Sequence, residues 1–236
     1  MPVLIIRNLL RVASLCIFIF PPYLMAQVDE EQAGAWYMYM WSHENAEAGF
    51  GLQGDVQHRN WDMGGDLEQL LIRGGITWRP EKSRFKYTLG YAHITSGAFG
   101  NNNDKSEENR VYQEALGAQR LGEKTFLSHR FRLEQRWVNG QDFRARLRYF
   151  LGINYPLNQT NLNAGAFYLS FYNELFINLS RDIGNQKQVD YFDRNRTYVA
   201  LGYSLQDSMR LQFGYMWQEN KNYGKGQVQF NLIHSF

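Results

Sequence analysis

Apolar and polar residues alternate with a period of two along most of this chain. The segment from Phe143 to Tyr155 shows the pattern best, because every second side chain from Phe143 onward is apolar. The other parity is mainly polar: Arg144, Arg146, Arg148, Phe150, Gly152 and Asn154. A helix has a period of 3.6 and would mix the two sets. Leu127–Trp137 repeats the alternation, and Asn139-Gly140 between the two segments is a strong hairpin signal. The two segments are therefore predicted to be neighbouring antiparallel strands.

Eleven segments of this kind run through the chain, separated by turn residues or polar loops. They lie near residues 34–43, 47–60, 66–79, 84–96, 109–118, 125–137, 142–155, 166–179, 194–205, 207–218 and 226–236. Many exceed the roughly 5–6 residues usual in soluble strands and match the roughly 9–11 that cross a bilayer at a tilt. We predict an all-β fold, a single closed antiparallel transmembrane β-barrel. A bacterial barrel with both termini on one side has an even number of strands, so we expect twelve, with ten as the alternative.

The apolar face of these strands is predicted to meet lipid. A soluble barrel would show the same alternation with its faces reversed, so periodicity alone does not decide. Aromatic residues make up 16% of the chain, and several lie at the ends of apolar stripes, as an interfacial girdle requires. These are Trp36, Trp41, Trp78, Trp137, Tyr155 and Trp217. The opposite parity is rich in arginines in adjacent rows, which is unlike an ordinary solvated face.

The N-terminus has the features of a cleaved secretory signal. Arg7 and Arg11 precede an apolar run, and Leu24-Met25-Ala26 is typical of a cleavage site. We therefore divide the chain into a signal peptide, residues 1–26, and an exported barrel, residues 27–236, in the outer membrane of a Gram-negative cell. Removing the signal lowers Lys+Arg from 25 to 23 against 23 Asp+Glu, so the formal charge falls from +2 to zero. A neutral chain gives no case for nucleic acid as a partner. The single cysteine also lies in the signal, which excludes disulfides and thiolate chemistry from the exported part.

The arginine-rich hairpin is the main candidate site. A three-residue loop at residues 139–141 would set Glu134 opposite Arg146 and Arg136 opposite Arg144, with Glu174 of the next strand within reach of Arg146 or Arg148. Two interpretations stay open: a positive wall that selects anions in a pore, or a structural ladder of Arg–Glu pairs that fills a narrow lumen. The zero net charge argues against a strongly selective field. The candidate lumen residues are Arg130, Arg132, Glu134, Arg136, Arg144, Arg146, Arg148 and Glu174.

Two other functions are weighed. A lipid-modifying hydrolase or acyltransferase needs a serine and a histidine together, and the nearest local pair is His93 and Ser96, which a strand would place on opposite faces. A soluble periplasmic barrel that carries a small apolar ligand is the second alternative. No catalytic residues, cofactor or metal site are predicted, because the five histidines lack ligand spacing. Asn101–Asp104 with Glu107 and Glu108 does not follow a calcium-loop spacing.

The last strand alternates Val228, Phe230, Leu232, His234 and Phe236 and ends on phenylalanine. This ending resembles the C-terminal signature of Gram-negative outer-membrane barrels, which implies that Phe236 is an assembly signal read by the barrel-assembly machinery. His234 departs from the usual apolar residue at its place. Outer-membrane lipids are the other partner that the resemblance implies, and it leaves the oligomeric state open.

Further segments resemble a family of uncharacterised bacterial outer-membrane proteins, catalogued as a domain of unknown function, with flavobacterial members closest. The resemblance covers most of the exported chain and implies a barrel, but it brings no activity. It is carried by Gly54–Trp61, Gly65–Leu71, His129–Arg136 and Tyr172–Phe176.

Overall fold

Eleven β-strands follow one another in chain order around a closed barrel in the computed structural model, which describes residues 32–45, 47–100 and 104–236. The strands are β1 (Gly34–Asn45), β2 (Phe50–Asn60), β3 (Leu67–Trp78), β4 (Phe85–Gly97), β5 (Lys105–Leu121), β6 (Thr125–Val138), β7 (Arg144–Pro156), β8 (Phe167–Asn178), β9 (Phe192–Gln206), β10 (Met209–Glu219) and β11 (Gly224–Ser235). The predicted all-β closed barrel is confirmed, and most strand ends lie within three residues of their predicted positions. The predicted signal peptide, residues 1–26, lies outside the described residues.

The barrel closes through a parallel pair. β1 runs beside β11 in the same direction, from Gly34 opposite Gln227 to Ser42 opposite Ser235, whereas every other neighbouring pair is antiparallel. The described residues thus form eleven strands rather than the preferred twelve or the alternative ten. The even number assumed an antiparallel closing pair; with an odd number in up-and-down order, the first and last strands must point the same way.

The odd number also places the two ends of the described chain at opposite rims of the barrel. We call the rim where β1 begins the N-terminal rim; it carries the loops after β2, β4, β6, β8 and β10. The C-terminal rim carries the end of β11 and the connections after β1, β3, β5, β7 and β9. The longest connection between described strands, residues 179–191, lies at the N-terminal rim, and the two-residue turn 207–208 lies at the C-terminal rim.

Apolar side chains cover the outside of the barrel, and polar and charged side chains fill the inside. Ile76, Leu89 and Phe213 expose 61%, 60% and 57% of their surface, whereas Glu134 and Arg146 expose 1% and 3%. This is the reverse of a soluble barrel, in which alternation buries the apolar parity. Among the described residues, no helix has the length and apolar composition needed to cross a membrane.

Two glycines give the lumen room for tyrosine rings. Gly202 lies opposite Tyr168, and Gly90 lies opposite Tyr112, each pair joining neighbouring strands. A Cβ atom at either glycine would overlap the facing ring. Both tyrosines are at most 2% exposed, so the missing side chains let these rings lie flat against the inner wall.

The β2–β3 loop at the N-terminal rim is organised by one carboxylate. Asp62 Oδ1 accepts backbone N–H groups from Gly65 at 2.6 Å, Asp66 at 3.1 Å and Gly64 at 3.0 Å. These three donors, with Gly65 contributing most, hold the pKa of Asp62 below its ordinary value because they stabilise the charged form.

Candidate functional site: an arginine-rich lumen

A wall of ion pairs lines the lumen over strands β5 to β8. Its centre is Glu134, which accepts hydrogen bonds from Arg146 Nε at 3.0 Å, Arg146 Nη2 at 2.6 Å and Arg148 Nη1 at 2.6 Å. Glu134 lies opposite Arg146 and Arg136 lies opposite Arg144, the pairing predicted from the loop length. Glu174 accepts a hydrogen bond from Arg148 Nε at 2.9 Å. Arg148 is one of the two arginines that were predicted to lie within reach of this carboxylate.

Other acids of the wall were not identified from the sequence. Glu108 accepts from both Arg110 and Arg136, Glu114 accepts from Arg132 at 2.7 Å, and Asp193 of β9 accepts from Arg146 Nη1 at 2.6 Å. Glu108 and Asp193 lie just before the strands predicted at 109–118 and 194–205, whereas β5 and β9 begin at Lys105 and Phe192. Which of them meets which arginine depends on the register between strands.

Seven of the eight predicted lumen residues belong to this wall, and the exception is Arg144. Arg130 donates to Glu174 at 2.6 Å and lies 3.6 Å from Glu114. Arg144, at the start of β7 near the N-terminal rim, forms no ion pair within 4.0 Å in the described part of the chain. The wall is therefore continuous across β5–β8 and incomplete at its rim.

The opposite side of the lumen is polar and aromatic, and it contains Trp36. The girdle position predicted for Trp36 is wrong: the side chain is 1% exposed and lies inside, because the parity of Trp36 and Met38 faces the lumen. Its indole Nε1 donates to Glu68 at 2.8 Å. Tyr198, Met216 and the buried amides of β11 complete this side.

Guanidinium groups stack on aromatic rings across the lumen. Arg59 of β2 lies 3.9 Å from the Trp36 ring centre, and Arg196 of β9 lies 4.8 Å from the same ring. Arg196 also lies 4.8 Å from the Phe176 ring. Such stacking is attractive and holds each guanidinium in a fixed plane. It joins β1 and β2 to β8 and β9 through side chains alone.

Three cavities follow one another inside the barrel. One of about 270 Å³ reaches Ser42 and His234 near the C-terminal rim. It shares Arg73 and Arg130 with a second cavity of about 230 Å³. The second shares Arg59, Arg73, Arg148 and Arg196 with a third of about 50 Å³, which we call the arginine cavity. The shared side chains show that the three cavities adjoin one another along the lumen.

The pair His93 and Ser96 is not brought together. His93 is on the outer face, where its Nδ1 lies 3.0 Å from Asn109 Oδ1. Ser96 accepts a hydrogen bond from the lumen residue Gln69 at 3.0 Å. The strand therefore separates the two side chains, as its alternation requires. Among the described residues, no three His, Cys, Asp or Glu side chains are grouped to hold a metal ion.

Fold and site together define a closed β-barrel protein with an ion-paired, arginine-rich lumen. The chain belongs to the family described as "Protein of unknown function (DUF2490)", whose family model matches residues 33–229. No match to the chain is found among curated proteins.

Proposed function

We propose that this protein is a β-barrel of the bacterial outer membrane whose lumen is a narrow conduit for small solutes. The observation that carries the proposal is the inverted arrangement of its surfaces. Large apolar side chains face outward, while charged side chains face a series of internal cavities. An exposed apolar band is stable in lipid and unfavourable in water.

The predicted signal peptide supports export, and the connections of the strands support one orientation in the membrane. Outer-membrane barrels have short periplasmic turns and longer extracellular loops. The C-terminal rim carries the short turns 122–124 and 207–208 and one ten-residue connection, 157–166, whereas the longest loop, 179–191, lies at the N-terminal rim. The C-terminal rim would therefore face the periplasm.

The ion-paired wall supports a restrictive conduit. Arg148 contacts both Glu134 and Glu174 at 2.6 Å and also lines the passage between the two smaller cavities. Side chains held by two partners do not move aside easily, so the passage admits ions and small solutes and excludes large ones.

Membrane location is tested by fractionation of cells and by gel mobility. We expect the protein in the outer-membrane fraction after a urea wash, and a mobility that changes on heating. Protein that stayed soluble without detergent and lacked heat-modifiable mobility would contradict the membrane assignment and favour the soluble ligand-carrying barrel.

Planar-bilayer recordings test the conduit. Wild-type protein is expected to give small, stable conductance steps with anion preference. Arg146→Ala should raise the conductance and reduce that preference, because it removes a charge and opens the wall. Arg210→Gln, which removes an arginine charge near the C-terminal rim, is the matched control. Silence of both wild type and Arg146→Ala would instead indicate a plugged structural barrel.

The lipid-modifying alternative has its own readout. Turnover of phospholipid by wild-type protein that is lost in His93→Ala would support an enzyme and count against a passive conduit. Because His93 and Ser96 are on opposite faces, we expect no such turnover.

A further inference from the structure

The arginine cavity has an unusual lining. Eight arginines surround a space of about 50 Å³, together with Gln69, Leu71 and Phe176. No carboxylate of the described residues lines it. The arginines come from six strands, so the cavity exists only in the closed barrel. Arg59 and Arg196 are two of these arginines.

The acids that neutralise this cluster approach from outside the cavity and do not balance it. Five carboxylates form ion pairs with six of the eight arginines: Asp55, Glu108, Glu134, Glu174 and Asp193. Glu68 is a further acid near Arg59, and it already accepts the Trp36 indole at 2.8 Å. Eight guanidinium groups against six acids leave an excess of two positive charges around the cavity.

Arg59 and Arg196 are the two arginines of the cavity outside these ion pairs. Both are buried, at 5% and 6% exposure, and neither has a carboxylate within 4.0 Å among the described residues. Arg196 donates one hydrogen bond, from Nε to Gln218 at 2.7 Å, which leaves most of its N–H groups for another acceptor. A buried charge without a counter-charge is costly, and a bound anion removes that cost.

These two guanidiniums are also held in place before a ligand arrives. Each lies against the Trp36 ring, at 3.9 Å for Arg59 and 4.8 Å for Arg196. Gln57 and Gln69 accept three hydrogen bonds from Arg59 and orient its plane. Preorganised donors lose little conformational entropy on binding, which favours affinity for an acceptor of matching shape.

We infer that the arginine cavity binds a small tetrahedral oxyanion, with the phosphate group as the ligand chemistry that fits it. A water-sized group occupies roughly 10–15 Å³ of such a volume, so about four oxygen-sized atoms fill the cavity. Planar guanidinium forks match phosphate oxygens in pairs, and several forks around one site suit an anion with acceptors in every direction. Phosphate compounds would then be the solute class of the proposed conduit. The inference rests on the conduit only for the route by which the anion reaches the cavity.

The source of the phosphate group is inorganic phosphate or an organic phosphate, and two probes separate them. The adjoining cavity of about 230 Å³ includes Phe150 and Tyr172 and has space for the organic part of a small phosphate ester. Inorganic phosphate and glycerol 3-phosphate are therefore titrated separately. The probe that binds alone, or that binds more tightly, identifies whether the phosphate group comes from inorganic phosphate or from an organic phosphate.

Isothermal titration calorimetry on the full exported chain in detergent micelles tests the inference directly. Wild-type protein is expected to bind phosphate with one site per chain, and sulfate should compete, whereas chloride and acetate should bind at least tenfold more weakly. Arg59→Gln or Arg196→Gln should weaken phosphate about tenfold or more, because each removes charge-assisted donors. Arg210→Gln carries the same change of charge outside the cavity and should bind as wild type does.

Folding is checked by heat-modifiable mobility, and Arg196→Lys supplies a second variant if Arg196→Gln does not fold. Lysine keeps the charge but loses the planar fork, so phosphate binding should fall while mobility stays that of wild type. Wild-type protein that binds neither phosphate nor glycerol 3-phosphate at millimolar concentration would overturn the inference. Equal binding of phosphate, chloride and acetate would also overturn the inference, because it would show that binding depends on charge alone and not on the shape of the anion.

The failure of this inference is distinguishable from the failure of the conduit. Calorimetry in micelles needs no transport, and bilayer recordings need no tight binding. Conductance without phosphate binding would remove the binding site and keep the conduit. Phosphate binding without conductance would keep the site and make the barrel a receptor-like or storage protein rather than a passage.

Discussion

Glu134→Gln removes the central carboxylate of the ion-paired wall while keeping its size. Three N–H groups reach the two carboxylate oxygens at 2.6–3.0 Å, and the side chain is 1% exposed. The amide can still accept at one oxygen, but its NH₂ group would face guanidinium donors. Removing one partner of a buried ion pair costs roughly 3–5 kcal/mol. Arg146 keeps Asp193 and Arg148 keeps Glu174, so we expect the lower end, about 3 kcal/mol of unfolding free energy.

Urea unfolding of the protein refolded into micelles, followed by tryptophan fluorescence, measures this loss. The slope of free energy against urea should stay the same while the midpoint falls. Glu123→Gln is the control, because Glu123 is exposed in the turn after β5, and its change should stay below about 0.5 kcal/mol. If Glu134→Gln cost no more than this control, the wall would be solvated like the lining of a wide aqueous pore, and the restrictive lumen would be wrong.

Three further expectations concern parts of the barrel outside the ion-paired wall. Gly202→Ala should cost about 1–3 kcal/mol in the same urea assay, because its Cβ would overlap a buried tyrosine ring; Gly74→Ala, whose nearest contact would be at 3.9 Å, should cost little, and equal costs would contradict the packing. Asp62 should titrate by NMR below its ordinary value of 3.8, mainly because it accepts the Gly65 N–H. Its contribution to stability is then full above that ordinary value and is lost as pH falls through the lowered pKa, so a normal or raised value would refute the loop geometry. Phe236→Ala should reduce assembled barrel in cells while refolding in micelles stays near that of wild type; an equal loss in both would make Phe236 a stabilising residue rather than an assembly signal.

The arginine hairpin shows how far local pattern reaches. The alternation of its two strands and the length of their loop were enough to pair Glu134 with Arg146, because a short antiparallel hairpin fixes its own register. Arg59 and Arg196 were not found this way. They lie on β2 and β9, two strands that are not neighbours. The local sequence of either strand does not indicate which residue its arginine would contact.

Trp36 is a residue for which the local pattern gave the wrong face of the strand. An aromatic residue at a strand end was interpreted as a girdle residue, but its parity turned it into the lumen, where it lies between two guanidiniums. Parity at the end of a short apolar stripe is ambiguous until the neighbouring strand sets the register. That neighbour is β11 on one side, nearly two hundred residues away in the chain.

The sequence by itself determined the strands and their two faces, since these depend on residue type and on a period of two. It also predicted the export signal, from residue types alone. The tertiary structure alone decided the parallel closure of eleven strands and the arginine cavity. Both depend on contacts between strands far apart in the chain, and no local periodicity encodes which distant side chains meet. Of the eight arginines around the cavity, only Arg136, Arg146 and Arg148 were predicted from the sequence, and all eight form one site only because the barrel closes around them.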